Sequence, residues 1–249
     1  MTGDAAGHYE RLAARFEENW AYSPAFVAWM SGCITGRLRP RTGDRGIDVG
    51  CGTGLYSRVL AEHAGSVVCV DPSAAMLAQV PDGHGLLPVR ASLEDLATGA
   101  VSLPHERFDV VLAKEVLHHA ADEHAALRTL AGLVAPGGRL LLVMLAPVLE
   151  YPLFEAALER YQRSPADHDG IARQLARHGL RAEVSTASFQ LAIAKERWLT
   201  MVADRWMSVL TKFTDAELAA GITEIDRRHP GPVLKFNDSF VFLLAHRPF

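Results

Sequence analysis

The chain has 249 residues, is 49% hydrophobic and 22% charged, and carries a formal net charge of −4. It is long enough to bury a sizeable core without disulfides or structural metal. Its charge balance advertises no strongly basic face for nucleic acid, and no apolar run approaches the ~18 residues of a membrane span.

Residues 8 to 39 read as helical. Tyr9, Leu12, Ala13 and Phe16 recur at helical spacing, and Pro24 opens a second stretch through Phe26, Val27 and Met30, which Pro40 ends. From Arg45 the texture changes, and short apolar runs alternate with helical patterns. Strands are predicted at 46–49, 67–70, 86–90, 108–113 and 139–145, with helices at 55–63, 73–79 and 122–133 between them. Such alternation implies a mostly parallel sheet covered on both faces. Beyond Pro147 the pattern breaks into helices at 152–162 and 167–178, a strand at 182–193, helices over 195–228, and a last strand at 236–245 after Pro230-Gly231-Pro232. No repeat or linker divides the chain, so 1–249 is expected to be one domain: helices at 1–40, an alternating core at 41–146, and further helices with the last two strands at 147–249.

The three cysteines, Cys33, Cys51 and Cys69, are odd in number and form no CxxC pair. They read as reduced, buried thiols in a reducing compartment. The polar stretch Met1 to Tyr9 has no apolar signal-peptide core. Both features lead to the expectation of a cytoplasmic protein.

The strongest chemical signal is Ile47-Asp-Val-Gly-Cys-Gly-Thr-Gly54, in which Gly50, Gly52 and Gly54 lie between a strand and a helix. Glycines there free the backbone and let a ligand touch the main chain. A dinucleotide fingerprint needs a glycine or alanine at the sixth position, its first glycine counted as one. Here that position is Leu55 counted from Gly50, or Ser57 counted from Gly52. A phosphate loop would need Gly-Lys-Ser/Thr, which does not follow. Asp71 closes the second strand 17 residues after Gly54, and a carboxylate there can accept two hydrogen bonds from a ribose diol.

Together with Val70-Asp-Pro-Ser-Ala-Ala-Met76, Phe108-Asp-Val-Val-Leu-Ala-Lys-Glu-Val-Leu-His-His119 and Leu133-Val-Ala-Pro-Gly-Gly-Arg-Leu140, the glycine loop resembles the ordered motifs of the class I S-adenosylmethionine (SAM)-dependent methyltransferases. The resemblance covers about residues 45 to 145. It implies an α/β Rossmann-like sheet of seven strands in the order 3-2-1-4-5-7-6, strand 7 antiparallel, with helical lid additions. It also implies SAM as cofactor. Asp48 and the backbone from Gly50 through Cys51 and Gly52 to Gly54 would hold the methionine end, Asp71 the ribose, and Met76 the adenine. Pro72, Lys114 and Tyr9 would complete the cofactor site. Where the family often places an acid for the adenine amino group this chain has Ser92, whose oxygen can accept that bond, with the Leu93 backbone beside it.

On the acceptor side, His118 and His119 follow strand four, where a base helps if the acceptor must lose a proton. A metal reading of His118, His119 and His124 is weaker, because three converging ligands are needed, and none is expected. Tyr22, Tyr151, Tyr161, Trp206 and Arg205 are candidates for the acceptor pocket, Arg205 because a guanidinium fork suits a carboxylate or phosphate. Core packing is the competing reading for these rings, as is a surface position for the arginine. No Asn-Pro-Pro-Tyr-type motif follows strand four, which removes the best-marked class of nucleic-acid amino-methyltransferases. The expected function is therefore methyl transfer to an O, N or C atom of a small metabolite, in specialised biosynthesis, by a monomer or homodimer with no nucleic-acid or membrane partner. RNA or protein methylation, and a SAM-binding protein that transfers no methyl, are the alternatives.

Overall fold

A computed structural model describes residues 21–163 and 166–249. Tyr9 and the expected helix before residue 21 lie outside these residues. Helix α1 (Pro24–Leu38) starts where predicted, with the Ser23 side chain capping the Phe26 amide and proline at its first turn. The alternating part follows as β1 (Arg45–Val49), α2 (Leu55–Ala64), β2 (Ser66–Asp71), α3 (Ala74–Leu77), β3 (Leu86–Arg90), α4 (Leu93–Thr98), β4 (Phe108–Lys114), α5 (Glu123–Gly132) and β5 (Val134–Leu145). The last part holds α6 (Glu155–Gln162), α7 (His168–Arg177), β6 (Arg181–Ala194), α8 (Lys195–Ala203), α9 (Asp215–Arg228) and β7 (Val233–His246). Short 3₁₀ turns occupy Leu117–His119 and Ser208–Lys212.

The seven strands form one sheet in the order β3-β2-β1-β4-β5-β7-β6. β1 through β5 pair in parallel, while β7 runs antiparallel to both β5 and β6. Both faces of the central strands are dry. Val110, Leu112, Leu141 and Val143 point into the layer holding α1 and α2, whereas Val111, Leu140 and Leu142 point into the layer holding α5 and α7. Alternate residues of one strand thus feed two cores, which is why these strands read as continuous apolar runs.

Three local expectations change. The expected helix at 73–79 is a single turn, Ala74–Leu77. β5 starts at Val134 rather than 139, because its pairing shifts register around Pro136-Gly137-Gly138: Phe108 faces Val134, and Val110 already faces Arg139. Residues 93–98, for which no element was expected, form α4, nucleated by a reciprocal cap between Ser92 and Asp95.

Candidate active site

In an open parallel sheet, a crevice forms beyond the strand carboxyl ends where neighbouring connections leave in opposite directions. Here β1 continues to β2 on one side and β4 to β5 on the other. A cavity of about 1410 Å³ lies there, lined by the loops after β1, β2, β3 and β4 and closed by α6, α7 and the Ser208–Lys212 turn.

The glycine loop forms one wall. Gly50, Gly52 and Gly54 all have positive φ, at 73°, 56° and 78°. A side chain at Gly50 would also meet the Val116 methyl at 2.2 Å, so this position excludes any Cβ twice over. The Gly50 and Cys51 amides both donate to the Val70 carbonyl, at 2.7 and 3.0 Å, pinning the loop to β2. Gly54 caps α2 without a side-chain partner and does not reach the cavity, whereas Gly50, Cys51 and Gly52 do.

Asp71 faces this loop. Its carboxylate accepts from the Gly52 amide at 2.9 Å and from the Ser73 amide at 2.9 Å. It is nearly buried, at 8% exposure, yet lines the cavity with Pro72 and Met76. Asp48 lies deeper and accepts from the Ser57 hydroxyl at 2.6 Å. Burial pushes its carboxyl up to about 7; the Asp71 charge adds to the rise, while the Ser57 bond and Lys114 oppose it. Ser92 and Leu93 line the far end. The Ser92 hydroxyl is engaged with Asp95, donating to its carboxylate at 2.9 Å and accepting from its amide at 3.1 Å.

Lys114 ends β4 with its ammonium 5.6 Å from the Tyr56 ring centre and 5.5 Å from that of Phe240. Glu115 follows at φ 56°, an uncommon backbone for a residue with a side chain. Its carboxylate accepts from the Leu145 amide at 2.6 Å, tying β4 to the end of β5. His118 and His119 stand on the 3₁₀ turn, their ring centres 3.8 Å apart, and both line the cavity. His118 keeps an open face towards the cavity. Enclosure, and secondarily the Lys114 charge, still hold it down at about 4, so its ring is neutral at physiological pH.

The acceptor-side expectations divide. Tyr161 lines the cavity and donates to the Ala146 carbonyl at 2.9 Å. Arg205 lines it too, but its guanidinium donates to the carbonyls of Leu210 and Phe213, at 2.7 and 2.8 Å, and to Asp215 at 2.7 Å. It therefore staples its own segment. Tyr22, Tyr151 and Trp206 are placed in the core instead of on the cavity wall. Tyr151 donates to buried Asp238 at 2.5 Å and packs with Trp198, Trp206 and Phe236. Tyr22 packs on Phe26, its carbonyl accepting from Arg197 at 2.8 Å. Tyr56, Glu115 and Asp238 were not singled out in the sequence. The one available signal was an acid inside the apolar strand Phe236 to Ala245. Among the described residues no three His, Cys, Asp or Glu side chains are grouped to hold a metal ion, and no helix is long and apolar enough to cross a membrane.

The donor set suits a charged nucleoside. Glycine backbone at Gly50 and Gly52, the start of α2 at Leu55 and Tyr56, and the carboxylates Asp48 of β1 and Asp71 of β2 all line one cavity. Residues 47–142 match the family described as a methyltransferase domain. An uncharacterized methyltransferase of Mycobacterium bovis is 39% identical over 97 residues, covering 39% of this chain and 48% of its own. The ubiquinone biosynthesis O-methyltransferase of Azorhizobium caulinodans is 38% identical over 101 residues, 41% of this chain and 40% of its own. The chain thus spans about half the length of the curated relatives it matches, or less. The crystal structure of an S-adenosylmethionine-dependent methyltransferase from Mesorhizobium loti superposes with a TM-score of 0.55 at 21% identity, covering 89% of this chain and all of that one.

Proposed function

We propose that this chain, whose residues 47–142 are a class I SAM-dependent methyltransferase domain, transfers a methyl group to an O, N or C atom of a small metabolite. The observation that carries the proposal is the Asp71 carboxylate locked onto the Gly52 amide at the wall of a cavity that continues to His118 and His119. When bound, SAM supplies a methyl group already activated on a positively charged sulfur, so the protein's part is position and exclusion of water.

The glycine loop and the α2 terminus would hold the methionine end, Asp71 the ribose hydroxyls, and Met76, Ser92 and Leu93 the adenine side. His118, neutral at physiological pH, can take a proton from the acceptor; His119 lies beside it. Met144, Leu145, Tyr161 and Met207 supply an apolar wall for the acceptor and keep water out. A single domain acting in the cytoplasm, in a biosynthetic pathway, fits this reading. Calorimetric titration with SAM, S-adenosylhomocysteine and NAD tests it, followed by mass spectrometry of S-adenosylhomocysteine formed with a small-metabolite library. Binding of NAD in preference to SAM would refute the proposal.

A further inference from the structure

Phe213 follows the Ser208–Lys212 turn and lines the cavity. Its backbone is fixed from two sides. Its carbonyl accepts from the Arg205 guanidinium at 2.8 Å, and its neighbour Thr214 starts α9 through a reciprocal cap with Glu217. Its ring is braced as well. Phe154, 3% exposed at the start of α6, meets it edge to face, with 5.0 Å between ring centres and 77° between planes. The Arg160 guanidinium of α6 lies 5.7 Å from the same ring centre. Phe154 has room for this contact because α9 carries Gly221, where any side chain would strike the Phe154 ring. Neither Phe154 nor Arg160 lines the cavity, so both reach an acceptor only through Phe213.

An apolar wall alone does not need this bracing. Met144 and Met207 line the same cavity and bury apolar surface with adaptable side chains. A ring held at a fixed angle gains beyond burial when its partner is another ring, because aromatic pairs have preferred stacked and edge-to-face geometries. Tyr161, a second ring on this side, is held too, by its hydroxyl on the Ala146 carbonyl at 2.9 Å. Among the described residues of the wall the one arginine is Arg205, and its guanidinium is committed to Leu210, Phe213 and Asp215. It therefore offers no fork to a carboxylate or phosphate.

We propose, resting on the reading of this cavity as a SAM methyltransferase site, that the acceptor is an aromatic ring bearing the methyl-accepting atom on or next to it, and that Phe213 is the residue that selects it. Phe154 and Arg160 are positioning residues that set the angle of the Phe213 ring. A flat acceptor packed on a fixed ring keeps little freedom besides sliding in its own plane, so its reactive atom is presented in a narrow range of directions. A saturated acceptor of the same size buries as much apolar surface but gains no ring–ring contact.

The test uses the full chain saturated with S-adenosylhomocysteine, so that binding is read without turnover. Two probes of matched size, β-naphthol and its fully hydrogenated counterpart, are titrated by calorimetry into wild type, Phe213→Leu and Phe213→Tyr. Wild type should bind β-naphthol roughly 2- to 10-fold tighter than the saturated probe. Phe213→Leu should abolish that preference by weakening β-naphthol alone, whereas Phe213→Tyr, which keeps a ring, should retain it. Affinity for S-adenosylhomocysteine should be unchanged in both variants. If Phe213→Leu does not fold, Phe154→Leu serves, because it removes the brace without touching the wall, and the preference must shrink. Equal affinity for the two probes, a preference that survives the leucine variant, or binding of neither probe overturns the inference. Absence of SAM and S-adenosylhomocysteine binding overturns the methyl-transfer reading itself, and the inference with it.

Discussion

Replacing Asp71 by asparagine changes one atom but removes an acceptor from a place that needs two. The Gly52 and Ser73 amides each point at a separate oxygen of this carboxylate, at 2.9 Å in both cases. In the variant one oxygen remains, and an NH₂ group faces the other amide, donor against donor. A hydrogen bond to a charged acceptor contributes about 1.5–3 kcal/mol, and a buried amide left unpaired costs about 1–3 kcal/mol. We expect roughly 2–4 kcal/mol of lost stability. In a chain of this length that is a fall of about 5–15 °C in Tm. SAM affinity should fall by about 1–3 kcal/mol, roughly 5- to 150-fold, since the same carboxylate is the proposed ribose acceptor. Thermal unfolding without ligand and titration with SAM measure the two effects separately. A Tm within about 1 °C of wild type would refute the role of Asp71 in holding the loop. A lowered Tm with unchanged affinity would reject the ribose contact alone.

Arg205→Ala strips the donor from two carbonyls, so stability should drop by about 2–3 kcal/mol with SAM affinity unchanged, the exposed Asp215 pair adding little; an unaltered denaturation midpoint would contradict the staple role. If His118 takes the acceptor's proton, His118→Ala should lower kcat on the order of 10²-fold. Because this imidazole is neutral above about pH 4, that contribution should stay flat from pH 5 to 8, and a rate rising through pH 6–7 for this residue's sake would count against it. Asp238 in the fold has its carboxyl pushed up to about 7, first by burial, against an unfolded value of about 3.9. The folded state therefore binds more protons across that interval, and stability falls as pH rises from about 4 to 7, by up to about 4 kcal/mol. Asp238→Asn should remove much of that slope in urea unfolding at pH 5, 6, 7 and 8; parallel curves for the two proteins would refute it.

Much of the frame was legible along the chain. The runs at 46–49, 67–70 and 108–113 lie within β1, β2 and β4, because strands buried on both faces leave no polar alternation to blur them. The glycine loop was legible because positive φ at three nearby positions leaves glycine as the residue of least cost. The substrate side was harder. Tyr22, Tyr151 and Trp206 have the spacing of helix and loop aromatics, which is the same for a pocket wall and for a core. Arg205 reads as a free cation until its partners at 210, 213 and 215 are seen folded back on it.

By itself, the sequence determined the elements whose causes are local: caps such as Ser23, the glycines that relax the turn after β1, and the apolar runs that must be buried. Only the tertiary structure decided which groups share a space. Tyr151 and Asp238 meet across 87 positions of chain, and Glu115 reaches the Leu145 amide across 30 because the sheet sets β4 beside β5. Electrostatics and burial depend on distance in space, and a linear pattern does not carry that distance until the sheet order is fixed.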